Sequence, residues 1–189
     1  ILNGSFEAPG GAPIRADLSG LILPGWSYNG FGYAIYESSG QDSISAHDGD
    51  YYISFGHTGL TGEVLSQTFA TTIGESFATI FYVSEQQKGN TSRDTENVRV
   101  ILTDGISTAT QDIAINGTFW TKVTLPQFVS QSNSVTLSFL DSGSANGTNW
   151  ALDAVSVVEV SNVPEPSTLL LISISIVLAT IVIGRRSRL

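Results

Sequence analysis

The chain has 189 residues, a formal net charge of −9, no cysteine and no methionine. Up to Val163 it holds sixteen acids against five bases (Arg15, Lys88, Arg93, Arg99 and Lys122), a net charge of −11; residues 164–189 carry one acid and three arginines, a net of +2. So acidic a body repels phosphate backbones, which argues against nucleic acid as a partner and for cations, and without cysteine neither a disulfide framework nor thiolate chemistry is available.

Taken in chain order, residues 1 to about 161 read as short strands broken by glycine-rich turns. Charged residues are 13% of the chain, well under the usual ~25%, and Ser, Thr, Gly and Asn stand in their place, as in extracellular β-proteins. A chain that opens at Ile1 without an initiator methionine is expected to have lost an N-terminal segment such as a secretory signal peptide. Five aromatic residues, Trp26, Tyr28, Phe31, Tyr33 and Tyr36, fall within eleven positions. Alternation with period two follows in "SFATIFYV" (Phe77, Thr79, Phe81, Val83 against Ala78, Ile80, Tyr82), in "NVRVIL" and in "SVTLSF". That pattern of β-branched and aromatic residues predicts strands with one buried face. Asn-Gly pairs at Asn29, Asn116 and Asn146 suit turns with positive φ, and Asp104-Gly105 sits between two strand-like runs as a hairpin requires. Trp120 and Trp150 stand at strand starts and are assigned to the core. Eight to ten strands at about ten-residue spacing predict an all-β sandwich or jelly roll, since no repeat of propeller-blade length is found.

No stretch before Ser167 keeps a helical period. Between Glu165 and Arg185 lie nineteen uncharged residues, densest in Leu, Ile and Val from Thr168 to Ile183. As a helix this run spans roughly 28 Å at ~1.5 Å per residue, close to the ~30 Å hydrocarbon core of a bilayer. The expected organisation is a β-sandwich ectodomain at 1–161, a proline-containing linker at 162–167, a single transmembrane helix at 168–184 and a basic cytoplasmic tail at 185–189. Arginines retained on the cytoplasmic side leave the acidic body outside.

The order Val163-Pro164-Glu165-Pro166, one hydrophobic span, then Arg185-Arg186 resembles the PEP-CTERM sorting signal of Gram-negative bacteria. The resemblance covers about 26 residues. It implies processing by an exosortase, a membrane-embedded cysteine protease thought to remove the tail near Pro-Glu-Pro. It further implies delivery from a single-pass inner-membrane intermediate to the cell surface or extracellular matrix, often beside exopolysaccharide or biofilm loci. Pro164 and Pro166 disfavour helix, so the motif stays extended just outside the membrane.

The stretches "LNGSFEAPG", "GW" at Gly25-Trp26, "HDGDYYISFG" and "NWALDAVSVVEV" resemble, in order and spacing, the galactose-binding-like jelly rolls of carbohydrate-binding modules. In that family the first and last strands lie side by side, and an acid from each end holds a structural calcium; the matching positions are Glu7 and Asp153. A hard cation takes six to eight oxygens from carboxylates and carbonyls, and two acids from opposite ends of the chain would tie the sandwich closed. The family's second aspartate is here Ala154. The other reading of Glu7 and Asp153 is a pair of carboxylates capping turns. Asp48-Gly49-Asp50 lacks the spacing of an EF-hand and reads as a turn, with "GDYY" leading into a core strand where Tyr51 or Tyr52 packs inward.

Aromatic rings can stack on a pyranose face, so Tyr28, Tyr33 and Tyr36 are the candidate carbohydrate-binding residues, with core packing as the alternative. An enzyme is not expected. The chain has only His47 and His57, no cysteine nucleophile, no G-x-S-x-G and no H-E-x-x-H. Two function classes stay open: a carbohydrate-binding or matrix-adhesion module associated with exopolysaccharide, and a purely structural surface protein without a small-molecule ligand.

Overall fold

The alternating runs pair into two antiparallel sheets. The computed structural model describes residues 1–7, 15–17, 23–30, 35–38, 44–56, 61–86, 96–143 and 149–160, with 15–17 and 35–38 as backbone. The expected linker, transmembrane helix and tail at 162–189 lie outside the described residues, among which no helix is long and apolar enough to cross a membrane.

The described residues form twelve strands: β1 Arg15–Asp17, β2 Ser27–Asn29, β3 Ile35–Ser38, β4 Tyr51–Phe55, β5 Val64–Ala70 and β6 Ser76–Gln86. β7 Glu96–Thr103, β8 Thr108–Ile115, β9 Thr121–Thr124, β10 Phe128–Val129, β11 Ser134–Asp141 and β12 Asn149–Glu159 complete them. A seven-stranded sheet runs β1-β3-β4-β12-β6-β10 with β9 also on β6, and a five-stranded sheet runs β2-β5-β11-β7-β8. The count exceeds the eight to ten read from sequence because β1, β2 and β10 are two or three residues long, too short to show alternation.

The core fills the space between the sheets. β6 turns Phe77, Phe81 and Val83 inward, β12 turns Trp150, Leu152 and Val155, and β11 turns Val135, Leu137 and Phe139. Trp150 stacks on Phe55 with ring centroids 4.1 Å apart, and Phe6, Trp26 and Phe139 form a chain of contacts at 5.3 and 6.2 Å. Full burial of one such side chain contributes about 1.5–3 kcal/mol. Trp26 keeps its indole N–H satisfied by donating to the Asn3 carbonyl at 3.1 Å. That bond, with Leu2 N–H donated to Gln67 at 2.6 Å, ties the opening segment across the mouth of the sandwich.

Residues 1–7 form no strand, yet they do lie beside β12. Val155 N–H donates to the Gly4 carbonyl at 2.8 Å, at a bulge between Asp153 and Ser156 where Ala154 takes φ +49°. Asp104-Gly105 makes the expected β7–β8 hairpin, with Gly105 at φ +82°. The Asp104 carboxylate caps it, accepting from the amides of Ile106, Ser107 and Gln131 at 2.9, 2.6 and 2.6 Å. These bonds, those from Ser107 and Gln131 foremost, hold its pKa down at about 2.

Trp120 departs from its core assignment. It is half-buried on the outer face of the seven-stranded sheet, against a second cluster of Ile44, Tyr52 and Ala151. The reason is register. β9 pairs Val123 with the inward Phe81 and Lys122 with the outward Tyr82, so the alternation that buries Val123 leaves Trp120 outside. Tyr52 likewise is fully buried but in this outer cluster, whereas Tyr51 packs on the main core.

Candidate functional site

Asp153 precedes the β12 bulge and is fully buried. Its Oδ2 accepts the backbone N–H of His47 at 2.7 Å and of Asp48 at 3.0 Å, and its Oδ1 accepts that of Ala154 at 2.6 Å. From the other end of the chain, Glu7 Oε1 accepts the N–H of Asp50 at 2.8 Å and of Tyr51 at 3.1 Å. Two acids 146 positions apart in sequence therefore grip one five-residue loop from both sides. Between them Gly49 takes φ +71°, and a Cβ there would lie 2.2 Å from Glu7 Oε1, so glycine is required twice over.

Burial pushes the Asp153 carboxyl up to about 7; the three backbone donors pull the other way, and the neighbouring Asp48 charge adds to the rise. A buried carboxylate with a raised pKa is one that a cation would stabilise. The donor set fits calcium in kind: Glu7 Oε2 and the Asp48 and Asp50 carboxylates carry no hydrogen bond among the described residues. Among those residues, however, no three acid or histidine side chains converge on one point. A cation between Glu7 and Asp153 would take its other ligands from backbone carbonyls and water.

The gripped loop delivers an aromatic ring to the sheet. His47 stacks on Tyr82 at a centroid separation of 3.5 Å and 21°. Trp120 stands edge-on to both His47 (6.2 Å, 75°) and Tyr52 (6.1 Å, 73°). It is pinned by donating its indole N–H to the Ser45 carbonyl at 2.7 Å. Lys122 is exposed beside Tyr82, and Phe119, next to Trp120, is 85% exposed. Beneath, Gln86 donates to the Tyr52 hydroxyl at 3.3 Å and accepts from Ser54, a buried polar network that fixes the platform's floor. The outer face of the five-stranded sheet is different in kind: Ser66, Thr68, Thr136, Ser138 and the Arg99–Asp112 pair lie there, and no aromatic ring among the described residues.

Of the residues expected to hold carbohydrate, Tyr28 is half-buried, paired with Leu65 and packed on the core, so its ring serves packing. Tyr36 lies on β3 with its backbone opposite Ile53, and Tyr33 lies outside the described residues. Glu7 and Asp153, expected as a pair, do meet on one loop. The residues missed are His47, Tyr82 and Trp120. The signal for Tyr82 was its place in the outward row of "SFATIFYV"; nothing local marks His47 as its partner, because the contact depends on Asp153.

Two antiparallel sheets packed face to face over one core define the class of fold: an all-β sandwich. No protein-family model matches the chain, and no curated protein matches it in sequence. Among solved structures it is similar to a family 61 carbohydrate-binding module in complex with β-1,4-galactotriose, at TM-score 0.57 and 14% identity over 85% of this chain and 97% of that one. It is also similar to the first family 22 xylan-binding domain of Paenibacillus barcinonensis Xyn10C, at TM-score 0.53 and 13% identity over 78% and 93% of the two chains. The second such domain of that protein gives TM-score 0.50 and 12% identity over 77% and 98%. At these identities the likeness is one of fold.

Proposed function

We propose that residues 1–161 form a non-catalytic carbohydrate-binding module, with the saccharide lying against the His47–Tyr82–Trp120 platform. The single observation that carries this reading is an aromatic cluster on the outer face of a sheet, flanked by exposed Lys122, Asp48 and Asp50. A sugar ring offers an apolar face to the rings and hydroxyls to the charged groups around them. The fold shared with modules solved on galactotriose and with xylan-binding domains supports the same reading. Calcium bound through Glu7 and Asp153 would fix the loop that presents His47, with exopolysaccharide as the polymer outside the cell.

The test is a glycan array probed with soluble residues 1–161, with and without calcium, beside Trp120→Ala and His47→Ala. Binding lost in both variants supports the platform; no binding by the unaltered domain in either condition refutes the module and leaves the structural-protein reading. The tail from Val163 to Arg186 is proposed as an exosortase-processed PEP-CTERM signal that takes the protein through the inner membrane to the surface. Replacing Pro164-Glu165-Pro166 with alanines in an exosortase-bearing host is expected to abolish processing, and unchanged processing defeats that part.

A further inference from the structure

Among the described residues β8 is an edge strand of eight residues that pairs with β7 alone. Asp104 N–H donates to the Ser107 carbonyl at 3.2 Å and so sets the phase of the hairpin ladder. Ala109, Gln111, Ile113 and Ile115 then bond inward to β7, while Thr108, Thr110, Asp112 and Ala114 turn their N–H and C=O groups outward. These outward groups have no partner among the described residues. The strand also lacks the devices that keep edges apart: it has no proline, lysine or bulge, and its one charge, Asp112, is already held by Arg99 through bonds of 2.7 and 3.0 Å.

We infer that β8 is the pairing edge for a second copy of this chain, joined antiparallel about a two-fold axis through Gln111. The occupant follows from self-complementarity. In this register Thr110 faces the second copy's Asp112 and Thr108 its Ala114, so every outward backbone group meets one of opposite kind. Gln111 faces itself.

One step further along the ladder, Ile106 of one copy comes opposite Asn116 of the other. Ile106 is 68% exposed, an apolar knob on the β7–β8 turn. Asn116 lines a cavity of about 230 Å³ whose walls include Val83, Ile113, Ile115 and Val123, in the seam where β8 leaves β9. The same pairing therefore brings an exposed isoleucine beside a cavity whose walls mix these apolar side chains with Asn116 and Thr121, at both ends of the strand. With Asp112 neutralised by Arg99, the two copies meet there without like charges, although the body is strongly acidic. The product is a continuous ten-stranded sheet that leaves the His47–Tyr82–Trp120 platforms, on the other sheet, clear.

The chain has no cysteine, so Gln111→Cys in the full chain in mild detergent is a clean reporter. In a non-hydrogen-bonded antiparallel pair the Cα atoms stand ~4.5 Å apart, within disulfide reach. Oxidation with diamide is expected to give a disulfide-linked dimer at least tenfold faster than Thr68→Cys, an exposed site on the same sheet's outer face. Ile106→Asp or Thr110→Pro added to Gln111→Cys is expected to remove that advantage. The proline deletes an outward N–H and no bond to β7, and an unchanged melting temperature certifies its fold. Equal cross-linking at 111 and 68, or an advantage that survives both added substitutions, overturns the inference. Either result leaves glycan binding by the platform untouched.

Discussion

Asp153 is the residue on which the loop, the platform and the proposed cation site all depend, and its titration is measurable. Its folded carboxyl stands at about 7 against an ordinary 3.8. The folded state therefore keeps a proton that the unfolded chain releases, and stability must fall as pH rises from about 4 to about 7. A difference of that size between the folded and unfolded carboxyl corresponds to about 4 kcal/mol, or very roughly 10 °C in melting temperature for a domain of this size. The assay is urea unfolding of residues 1–161 in EDTA at steps between pH 4 and 7, beside Asp153→Asn, whose amide does not titrate. Asp141, also raised by burial, contributes a slope of the same sign, so the difference between the two proteins isolates Asp153. Calcium bound between Glu7 and Asp153 holds the carboxylate ionised, and saturating calcium should then abolish the extra slope of the unaltered domain. Identical pH profiles for the two proteins in EDTA would refute the buried-carboxyl argument. A slope that is present but insensitive to calcium would refute the metal site alone.

Three further outcomes follow from the same geometry. Gly49→Ala places a Cβ 2.2 Å from Glu7 Oε1 at φ +71°, and the combined loss of the Glu7 bonds and left-handed strain is expected to cost about 2 kcal/mol in urea unfolding; a change under about 0.5 kcal/mol would show that Glu7 does not hold the loop. Ala154→Asp adds a second acid at a left-handed position that Asp tolerates better than Ala, so the rise in melting temperature expected with calcium should grow; no change separates Ala154 from the site. Asp104, held down at about 2 by backbone donors, contributes stability that is present above about pH 4 and lost as pH falls towards 2. Asp104→Asn is expected to lower the melting temperature at pH 7 and to lose less of it on acidification than the unaltered domain, and parallel acid melts for the two would count against the cap.

How much of this was legible in sequence depended on the range of the interaction. Period-two runs announced β6, β7 and β11, because an alternating apolar row needs no knowledge of its partner. Asp104-Gly105 announced its hairpin, because the cap and the turn are within four residues. Glu7 and Asp153 were paired only through a family resemblance, since nothing in either segment points to a loop more than forty residues from one and a hundred from the other. Trp120 failed for a reason of the same kind: a tryptophan at a strand start reads as core, and only the β6–β9 register, which sends Lys122 and Tyr82 outward together, shows which face it joins. The platform is the clearest case. Tyr82 sits in the row opposite Phe77, Phe81 and Val83, His47 just before a turn, and Trp120 in the supposed core; a loop held by N–H bonds to Asp153 brings the three together. A site assembled by a buried acid gripping backbone leaves no side-chain motif, because the groups it binds are the same in every residue but proline. The same logic makes the Glu7–Asp153 grip the control point of the surface: whatever changes the charge on Asp153 acts on His47 through a single 2.7 Å hydrogen bond.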